Sequence, residues 1–334
     1  MSSLRHTPPL TAAEQQCAPG AEHRTPQRVL RLGTRGSALA ATQAGWVADR
    51  LRAAGHDVEL VEVRTEGDVN HAPLTQIGGT GVFASALRTA LRQGEVDLAV
   101  HSLKDLPVAP EDGLTVAGIP AREDPRDAVL TRSGSDLADL PAGSLVGTGS
   151  PRRAAQAALL APQVRIVDIR GNVGTRLAKV HSGEVDAVIL AAAGLSRLGR
   201  LGEATEVLEP DAMLPAPGQG ALAVECRCDD TEVVAACAGL DDGSTRACVT
   251  AERSLLQRLE AGCTAPIGAL ARPAREGLVL TAFVTQRGRS LRHSMTGSDP
   301  VDLGRALAED LLDAIAASGP ATARQSATTT ERDS

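Results

Sequence analysis

The sequence predicts an α/β protein in which two similar doubly wound domains face a cleft, followed by a small α+β domain at the carboxyl end. Three observations support this prediction. Strand and helix patterns alternate over most of the chain, two stretches repeat the same order of motifs, and the pattern changes to a helix, three strands and a helix after residue 243. Because alternating elements favour parallel sheets, ligands are expected where strand carboxyl ends meet helix amino ends.

The composition is that of a globular protein large enough for two or three domains. Of its 334 residues 43% are hydrophobic and 22% charged, and the formal net charge is −7. The chain has no tyrosine, one tryptophan and two phenylalanines, so platforms for single-stranded nucleic acid are not expected. Net acidity disfavours a duplex partner, and P-loop and dinucleotide motifs are missing. The expected partner is therefore a small molecule, with no nucleic acid.

Residues 1–27 form a polar, proline-bearing stretch without the apolar core of a signal peptide, and no apolar run approaches the ~20 residues of a membrane-spanning helix. We therefore expect a cytoplasmic protein, a monomer, with no membrane partner. Its six cysteines should be reduced thiols. Cys226 and Cys228 form a lone C-x-C, which is weak as a metal site, so no metal is expected.

The two similar predicted domains, here called the first and second lobes, repeat one order of motifs. From Arg28 an apolar run leads to a Gly-Thr turn and a Ser37 helix cap, and SLVGTGSPRRAAQAALLA from Ser144 follows the same order. In each lobe a glycine turn, a helix, the tetrad GEVD and a buried strand follow. The joints are expected at 119–127 and 214–220, which are rich in proline or glycine and in charge. The chain after these joints reads as a strand returning to the first sheet, and two crossings favour a hinge.

Composition shifts and turn signals divide the chain into three domains and two tails. The predicted boundaries are 1–27 for a disordered tail, 28–120 with 221–238 for domain 1, 126–214 for domain 2, 243–320 for domain 3 and 321–334 for a second disordered tail. In domain 3 the loop GCTAPIGA places Cys263 just past a helix end, and Pro266 prevents further helix.

Residues 146–176 carry positive charge in an acidic chain. One acid, Asp168, stands against five arginines: Arg152, Arg153, Arg165, Arg170 and Arg176. Ser150 and Pro151 predict an N-cap and first helical residue, so two arginines fall in a first turn where the helix dipole disfavours cations. A bound anion would compensate, and a possible cap at Asn172 repeats the device. A solvated basic face is the alternative, but we favour an anion-binding cleft.

Other positions could carry chemistry. Lys104 and Asp105 follow a buried strand, where α/β proteins keep reactive groups, although a surface lysine beside a turn-forming aspartate explains the pair equally well. Cys263 is a candidate nucleophile because a basic cleft favours the thiolate, although free cysteine is usually a buried apolar residue. The duplicated context favours a role for Arg35, whereas Arg197 by itself is also consistent with a surface charge.

Nine segments together closely resemble the porphobilinogen deaminase (hydroxymethylbilane synthase) family. They are LGTRGSALA, IGGTGVF, VHSLKDLP, AREDPRD, GTGSPRR, IRGNVGTR, LAAAGLSRLG, LPAPGQGA and GCTAPIGA, and they extend over most of 28–317. The resemblance implies three domains, the first two similar to periplasmic binding proteins. It also implies a transferase of haem biosynthesis that condenses four porphobilinogen molecules head-to-tail, releases ammonia and hydrolyses off the linear tetrapyrrole hydroxymethylbilane.

The resemblance also implies residue roles. A dipyrromethane cofactor would be attached through a thioether to Cys263, and Asp105 with Lys104 would act in catalysis. The cofactor would be bound by Arg152, Arg153, Arg170, Arg176, Lys104, Asp105, Ser150 and Thr148. The substrate would be bound by Arg35, Ser37, Arg170, Arg176 and Arg197. Gln76 and Thr80 stand where some relatives carry lysine, so a lid role for those cations is in doubt.

The residues make sense of this chemistry. Each pyrrole carries two carboxylates, so the growing chain is a polyanion that suits forked guanidinium donors. Loss of ammonia leaves a cationic azafulvene, which a carboxylate such as Asp105 stabilises. The competing class is a non-enzymatic anion-binding protein on the same twin-domain plan, which does not explain a third domain with a loop cysteine. A family member without a cofactor is disfavoured because Asp105 and Cys263 are both present.

Overall fold

The computed structural model describes residues 28–63, 82–259, 266–286 and 289–317, and the two predicted tails lie outside these ranges. The strands are β1 (Leu30–Thr34), β2 (Val58–Glu62), β3 (Leu98–Ser102), β4 (Leu114–Gly118), β5 (Asp127–Thr131), β6 (Leu145–Gly147), β7 (Arg165–Val167), β8 (Ala187–Ala191), β9 (Glu206–Leu208), β10 (Leu222–Arg227), β11 (Ile267–Ala274), β12 (Gly277–Gln286) and β13 (Arg289–Gly297). The α-helices are α1 (Ala38–Ala53), α2 (Val82–Arg92), α3 (Pro151–Leu160), α4 (Val173–His181), α5 (Ala192–Arg197), α6 (Thr231–Ala238), α7 (Gly243–Arg258) and α8 (Pro300–Ala317). None of these described helices is long and apolar enough to cross a membrane.

The two large sheets have the same strand order. The first sheet runs β2-β1-β3-β10-β4 and the second runs β7-β6-β8-β5-β9. In each sheet three parallel strands are followed by one antiparallel strand, β10 or β5, and then by an edge strand. Because the reversed strand occupies the same place in both sheets, the structure confirms the duplicated α/β design predicted from the motifs.

The reversed strands are produced by the chain crossing between the sheets. The chain leaves β4 at Gly118 and enters the second sheet at Asp127, and it leaves β9 at Leu208 and enters the first sheet at Leu222. Each reversed strand begins beside the carboxyl end of a parallel strand, because Asp127 pairs with Ala191 of β8 and Leu222 pairs with the last residue of β3. The two crossings therefore run along the sheet edges where ligands of α/β proteins bind.

Helix α1 illustrates how local sequence builds each lobe. The Ser37 side chain accepts a hydrogen bond from the backbone N–H of Ala40 at 3.3 Å, as the predicted cap requires. The buried positions of the helix recur every three or four residues and are Gln43, Ala44, Val47, Ala48 and Leu51. This spacing places one face of the helix on the sheet, where it joins the core of the first lobe.

Helices α3 and α4 begin at the two caps predicted in the second lobe. The Ser150 hydroxyl accepts from the backbone N–H of Arg153 at 3.4 Å, and the Asn172 side chain accepts from the N–H of Thr175 at 2.9 Å. Pro151 is the first residue of α3. Both helices therefore present their amino ends at the carboxyl edge of the second sheet.

The third unit is a three-stranded antiparallel sheet packed against two helices. Its strands follow the chain order β11-β12-β13, and helices α7 and α8 share one hydrophobic core with them. Leu255, Leu280 and Leu307 are fully buried in this core. Residues 260–265, which connect α7 to β11, lie outside the described ranges.

Substitution of Gly220 tests whether the two crossings pack tightly against each other. Its φ is +89°, and a Cβ there would clash with the carbonyl oxygen of Glu123 on the other crossing. Gly220→Ala must adopt a left-handed backbone, at about 1–2 kcal/mol, and must also displace that segment. We expect the free energy of unfolding to fall by more than this conformational cost.

Gly199→Ala is the matched control, because its φ is +67° and a Cβ there meets no described atom within 4 Å. Urea denaturation of both variants measures the difference. Equal losses of stability would show that the two crossings are not tightly packed against each other.

Candidate active site

The turn that follows β3 carries the two predicted catalytic residues. It is a short 3-10 turn over Leu103–Asp105, and Leu103 anchors it because its side chain is buried. Lys104 is half-buried and Asp105 is exposed. The carboxylate of Asp105 is therefore open to solvent at the carboxyl edge of the first sheet, where a ligand can reach it.

Asp127 is a buried carboxylate that pairs with both arginines in the first turn of α3. Nη1 of Arg152 donates to Oδ2 of Asp127 at 2.7 Å, and Nη2 of Arg153 donates to Oδ1 at 2.8 Å. Burial opposes ionisation, but the two guanidinium groups hold the pKa of Asp127 well below its usual range. Asp127 of the chain itself therefore compensates part of the charge of these arginines. The sequence alone predicts that a bound anion does so.

Arg153 and Arg152 differ in whether all of their side-chain nitrogens have a hydrogen-bond partner among the described residues. Arg153 uses all three side-chain nitrogens within the protein, since Nε also donates to Asp127 and Nη1 donates to the carbonyl of Ile189. Arg152 also donates from Nη1 to the carbonyl of Leu214 at 2.6 Å. Its Nε is buried and has no hydrogen-bond partner among the described residues. Arg152 therefore retains a donor that a bound carboxylate could satisfy.

Gln219 joins the two lobes at the same point. It is fully buried on the second crossing, and its Nε2 donates to Asp127 at 2.9 Å. Its Oε1 accepts from Nζ of Lys104 at 3.3 Å. Lys104 belongs to the first lobe and Asp127 to the second, so Gln219 connects the two lobes by polar contacts through the second crossing.

Sequence reasoning missed the roles of Asp127 and Gln219, because it interpreted AREDPRD and LPAPGQG only as joints. The available signals were an aspartate followed by three apolar residues in the strand DAVLT, and a single amide side chain between glycines. Both are polar groups at places where the backbone must turn into a sheet. Such groups are expected to find buried partners.

Lys104 lies among several charges. Burial disfavours its ammonium form, and Arg153 and Arg152 repel it, so its pKa falls to about 8, while Asp105 and Asp127 act in the opposite direction. An amine with this pKa exchanges protons readily near neutral pH. Its charge is also more easily stabilised by an incoming anion than that of a solvated lysine.

The turn after β7 and the first turn of α4 add one cation each, Arg170 and Arg176. Arg176 is half-buried and donates from Nε to the carbonyl of Gly171 at 2.8 Å. Burial lowers the pKa of Arg176, and repulsion by Arg153 and Arg170 lowers it further. Arg170 is exposed and pairs with Asp168, with Nε and Oδ2 at 3.2 Å. Cations that repel one another in this way are stabilised when an anion binds among them.

Several of the predicted polar residues shape turns. The Thr148 hydroxyl accepts from the backbone N–H of Ser150 at 3.2 Å, and Ser150 in turn caps α3. Ser37 caps α1 in the corresponding place of the first lobe. Arg35 is half-buried between β1 and this cap. These residues lie at helix amino ends that point to the sheet edge.

Arg197 contacts the second crossing. At the end of α5 its Nη2 donates to the carbonyl of Gly220 on the second crossing at 2.7 Å, and burial lowers its pKa. Three other residues singled out from the sequence, Cys263, Gln76 and Thr80, lie outside the described residues. Their predicted roles therefore stay predictions.

Two lobes of one design are joined by two crossings and carry a cluster of cations at the carboxyl edges of their sheets, which is the arrangement expected of a protein that binds a small polyanion. Residues 30–235 match the family model described as porphobilinogen deaminase, dipyromethane cofactor binding domain. Residues 246–313 match the one described as porphobilinogen deaminase, C-terminal domain. The chain therefore belongs to the porphobilinogen deaminase family.

Similar proteins bear the same name. Porphobilinogen deaminase 1 of Streptomyces coelicolor is 60% identical over 250 residues, which cover 73% of this chain and 78% of that protein. The porphobilinogen deaminase of Nocardia farcinica is 54% identical over 298 residues, covering 85% and 86%. That of Mycobacterium tuberculosis is 60% identical over 243 residues, covering 73% and 78%. Among solved structures, the methionine-binding protein MetQ has a TM-score of 0.41 and 13% identity, covering 64% of this chain and 89% of that one.

Membership in the family makes the chain an enzyme. It is a transferase of porphyrin biosynthesis that acts on porphobilinogen and has a dipyrromethane cofactor, as the resemblance of its motifs implied. The alternative of a non-enzymatic anion-binding protein is not favoured.

Asp127 provides a stability test of the site. Asp127→Asn leaves two buried guanidinium groups without their carboxylate, and breaking a buried pair costs about 3–5 kcal/mol. We expect the free energy of unfolding at neutral pH to fall by about this amount. Glu184→Gln, which breaks the exposed pair with Lys179, should cost less than about 1 kcal/mol. Urea unfolding measures both, and a small loss for Asp127→Asn would contradict a central role.

The pH dependence follows from the depressed pKa of Asp127. A group whose pKa is lower in the folded state contributes stability above its unfolded pKa, ~3.9 for aspartate, and loses it as the pH falls toward the folded value. The wild-type protein should lose this contribution on acidification. Asp127→Asn should lack it at every pH, so its stability should depend less steeply on pH in the acid range.

Proposed function

We propose that Asp105, Lys104 and the arginine cluster form the site where porphobilinogen loses ammonia and joins the growing chain. The supporting observation is the gathering of cations from both lobes around an exposed carboxylate. Repulsion by Arg153 and Arg152 of the second lobe lowers the pKa of Lys104 in the first lobe. Attraction to Asp105 of the first lobe acts to raise the pKa of Arg176 in the second. This arrangement fits an anionic ligand whose reacting end becomes cationic.

The residues present fit a dipyrromethane cofactor, which carries two carboxylates on each of its rings. Arg152 retains a buried donor without a described partner, and Arg176 is crowded by other cations, so carboxylates would satisfy both. We assign cofactor binding to Lys104, Asp105, Thr148, Ser150, Arg152, Arg153, Arg170 and Arg176, with covalent attachment at Cys263. Arg153 contributes through the Asp127 contact that holds the start of α3. When bound, the cofactor supplies the primer to which substrate is added.

Asp105 has the catalytic role in this proposal. Loss of ammonia from porphobilinogen leaves positive charge spread over the pyrrole ring, and a carboxylate near the ring N–H stabilises that charge. Its exposed position lets the carboxylate approach the ring. Lys104 holds a substrate carboxylate beside it, and the bound anion would raise the pKa of this lysine from about 8.

The acetate and propionate groups of the substrate are assigned to Arg35, Ser37, Arg170, Arg176 and Arg197. The contact of Arg197 with Gly220 places this guanidinium at the hinge, where it can respond to the positions of both lobes. Bidentate guanidinium donors suit carboxylates because their two parallel N–H groups match the two oxygens.

The wider organisation is also a proposal. We retain domain 1 at 28–120 with 221–238, domain 2 at 126–214 and domain 3 at 243–320, for which the strand orders give support. The net charge of −7 and the three aromatic residues support an enzyme that acts without nucleic acid. A monomeric state and a cytoplasmic location remain predictions from the sequence.

Replacing Asp105 tests the catalytic assignment. Asp105→Ala should lower ammonia release by on the order of 10²-fold or more, because stabilisation of the developing charge is lost. The thermal unfolding midpoint should change little, since the side chain is exposed. Asp139→Ala is a matched control, because Asp139 is exposed and ends a similar 3-10 turn in the second lobe. Near-normal turnover by Asp105→Ala would remove this residue from the mechanism.

Replacing Cys263 tests the attachment site. The wild-type protein should be heavier than its sequence by two pyrrole units in intact-mass spectrometry, because a thiolate forms a stable thioether with an electrophilic pyrrole carbon. Cys263→Ser should have the bare sequence mass and no turnover. Cys228→Ser, which removes an exposed thiol, should keep the added mass. Peptide mapping that found the adduct on another cysteine would contradict the assignment.

A further inference from the structure

The turn that bears Lys104 and Asp105 rests on a helix of the third domain. Leu103 and Leu106, which flank the pair, are 1% and 4% exposed and belong to the same hydrophobic cluster as Val249 of α7. The turn is therefore supported from outside its own lobe. A change in α7 can therefore alter the position of the turn.

Arg253 lies one helical turn after Val249 on α7 and reaches the same segment. Its Nη1 donates to the carbonyl oxygens of Leu106 at 2.9 Å and Leu103 at 3.3 Å, and its Nη2 donates to that of Pro107 at 2.7 Å. These three carbonyls lie on both sides of the Lys104–Asp105 dipeptide. A planar guanidinium with fixed donor directions holds such a set of acceptors in one geometry.

The contacts of Arg253 differ from those of its neighbours on α7. Arg246 pairs with Asp241, and Arg258 pairs with Glu309. The hydrogen bonds of Arg253 within the described residues go to backbone carbonyls instead. Burial lowers its pKa to about 10, so the side chain remains a cation at neutral pH. Burying a cation costs free energy unless its N–H groups are hydrogen-bonded. The three carbonyl oxygens meet this requirement, so the guanidinium and the turn hold each other in place.

A cavity of about 220 Å³ lies beside this contact, and Leu103, Val108, Val249 and Arg253 are among its lining residues. The guanidinium of Arg253 therefore holds the turn in addition to the packing of Leu103 and Leu106 against Val249.

We propose that Arg253 is a positioning residue for the reaction, which fixes the backbone of residues 103–107 so that the Asp105 carboxylate is held where substrate reacts. This proposal rests on the catalytic role proposed for Asp105. Helix α7 ends at Arg258, shortly before the segment that contains Cys263. One helix thus supports the catalytic turn and leads into the proposed attachment loop, and a displacement of about 1 Å at such a site can cost on the order of 10²-fold in rate.

The test compares Arg253→Met and Arg253→Lys with Arg258→Met, a control on the exposed end of the same helix. Arg253→Met should lower kcat by about 10-fold to 100-fold while KM for porphobilinogen changes by less than about 3-fold, because substrate contacts remain. Amide hydrogen exchange in residues 103–107 should become faster. The covalently loaded mass should be unchanged, and Arg253→Lys should give an intermediate kcat, since one cation can satisfy part of the carbonyl set. Arg258→Met should match the wild type in kcat and exchange.

The proposal is overturned if Arg253→Met keeps the wild-type kcat, or if kcat falls while exchange in residues 103–107 is unchanged. If Arg253→Met does not fold, the kcat and exchange of Arg253→Lys decide in the same way. Asp105→Ala, measured in parallel, distinguishes a failure of the proposed function from a failure of the role proposed for Arg253. Normal turnover by Asp105→Ala would contradict the proposed function, whereas faster exchange in Arg253→Met with normal turnover would contradict only the role of Arg253.

Discussion

The site depends on the buried carboxylate of Asp127. Two guanidinium groups at a helix amino end are unfavourable because of the helix dipole, and burying them adds a desolvation cost. Asp127 offsets both effects by accepting from Arg152 and Arg153, and it also accepts from Gln219 on the second crossing. The same carboxylate therefore fixes the start of α3 to the point where the chain changes lobes.

The position of Asp127 follows from the topology. A strand that enters a sheet antiparallel to its neighbours begins at their carboxyl ends, so the first residue of β5 lies beside the last residue of β8. The corresponding strand β10 begins beside the end of β3, next to the turn with Lys104. Residues of the crossings are thus necessarily close to the ligand edge of each sheet. In this fold the crossings and the candidate site share side chains, and one carboxylate shared by two arginines leaves a net positive charge.

The features that could be predicted from the sequence are those that depend on local patterns of residues. The caps at Ser37, Ser150 and Asn172, the strand that precedes Lys104 and the three strands of the third domain depend on neighbouring residues, and their positions agree with the structure. The pattern of charges also indicated that an anion must compensate the arginines of α3. It could not indicate that the chain supplies the first anion, because the Asp127 contact joins residues about 25 positions apart through the register of β5 and β8.

Contacts of still longer range were not accessible to sequence reasoning, and α7 makes several of them. Glu252 is fully buried and accepts from Arg122 on the first crossing and from the backbone N–H of Gly218 on the second. Arg253, the next residue, donates to the turn that holds Asp105. Adjacent residues on a helix point in different directions, so α7 can bind the two crossings with one side chain and the turn that bears Asp105 with the other. The third domain is therefore an integral part of the site, since the same helix that is bonded to both crossings also supports the turn on which Asp105 lies.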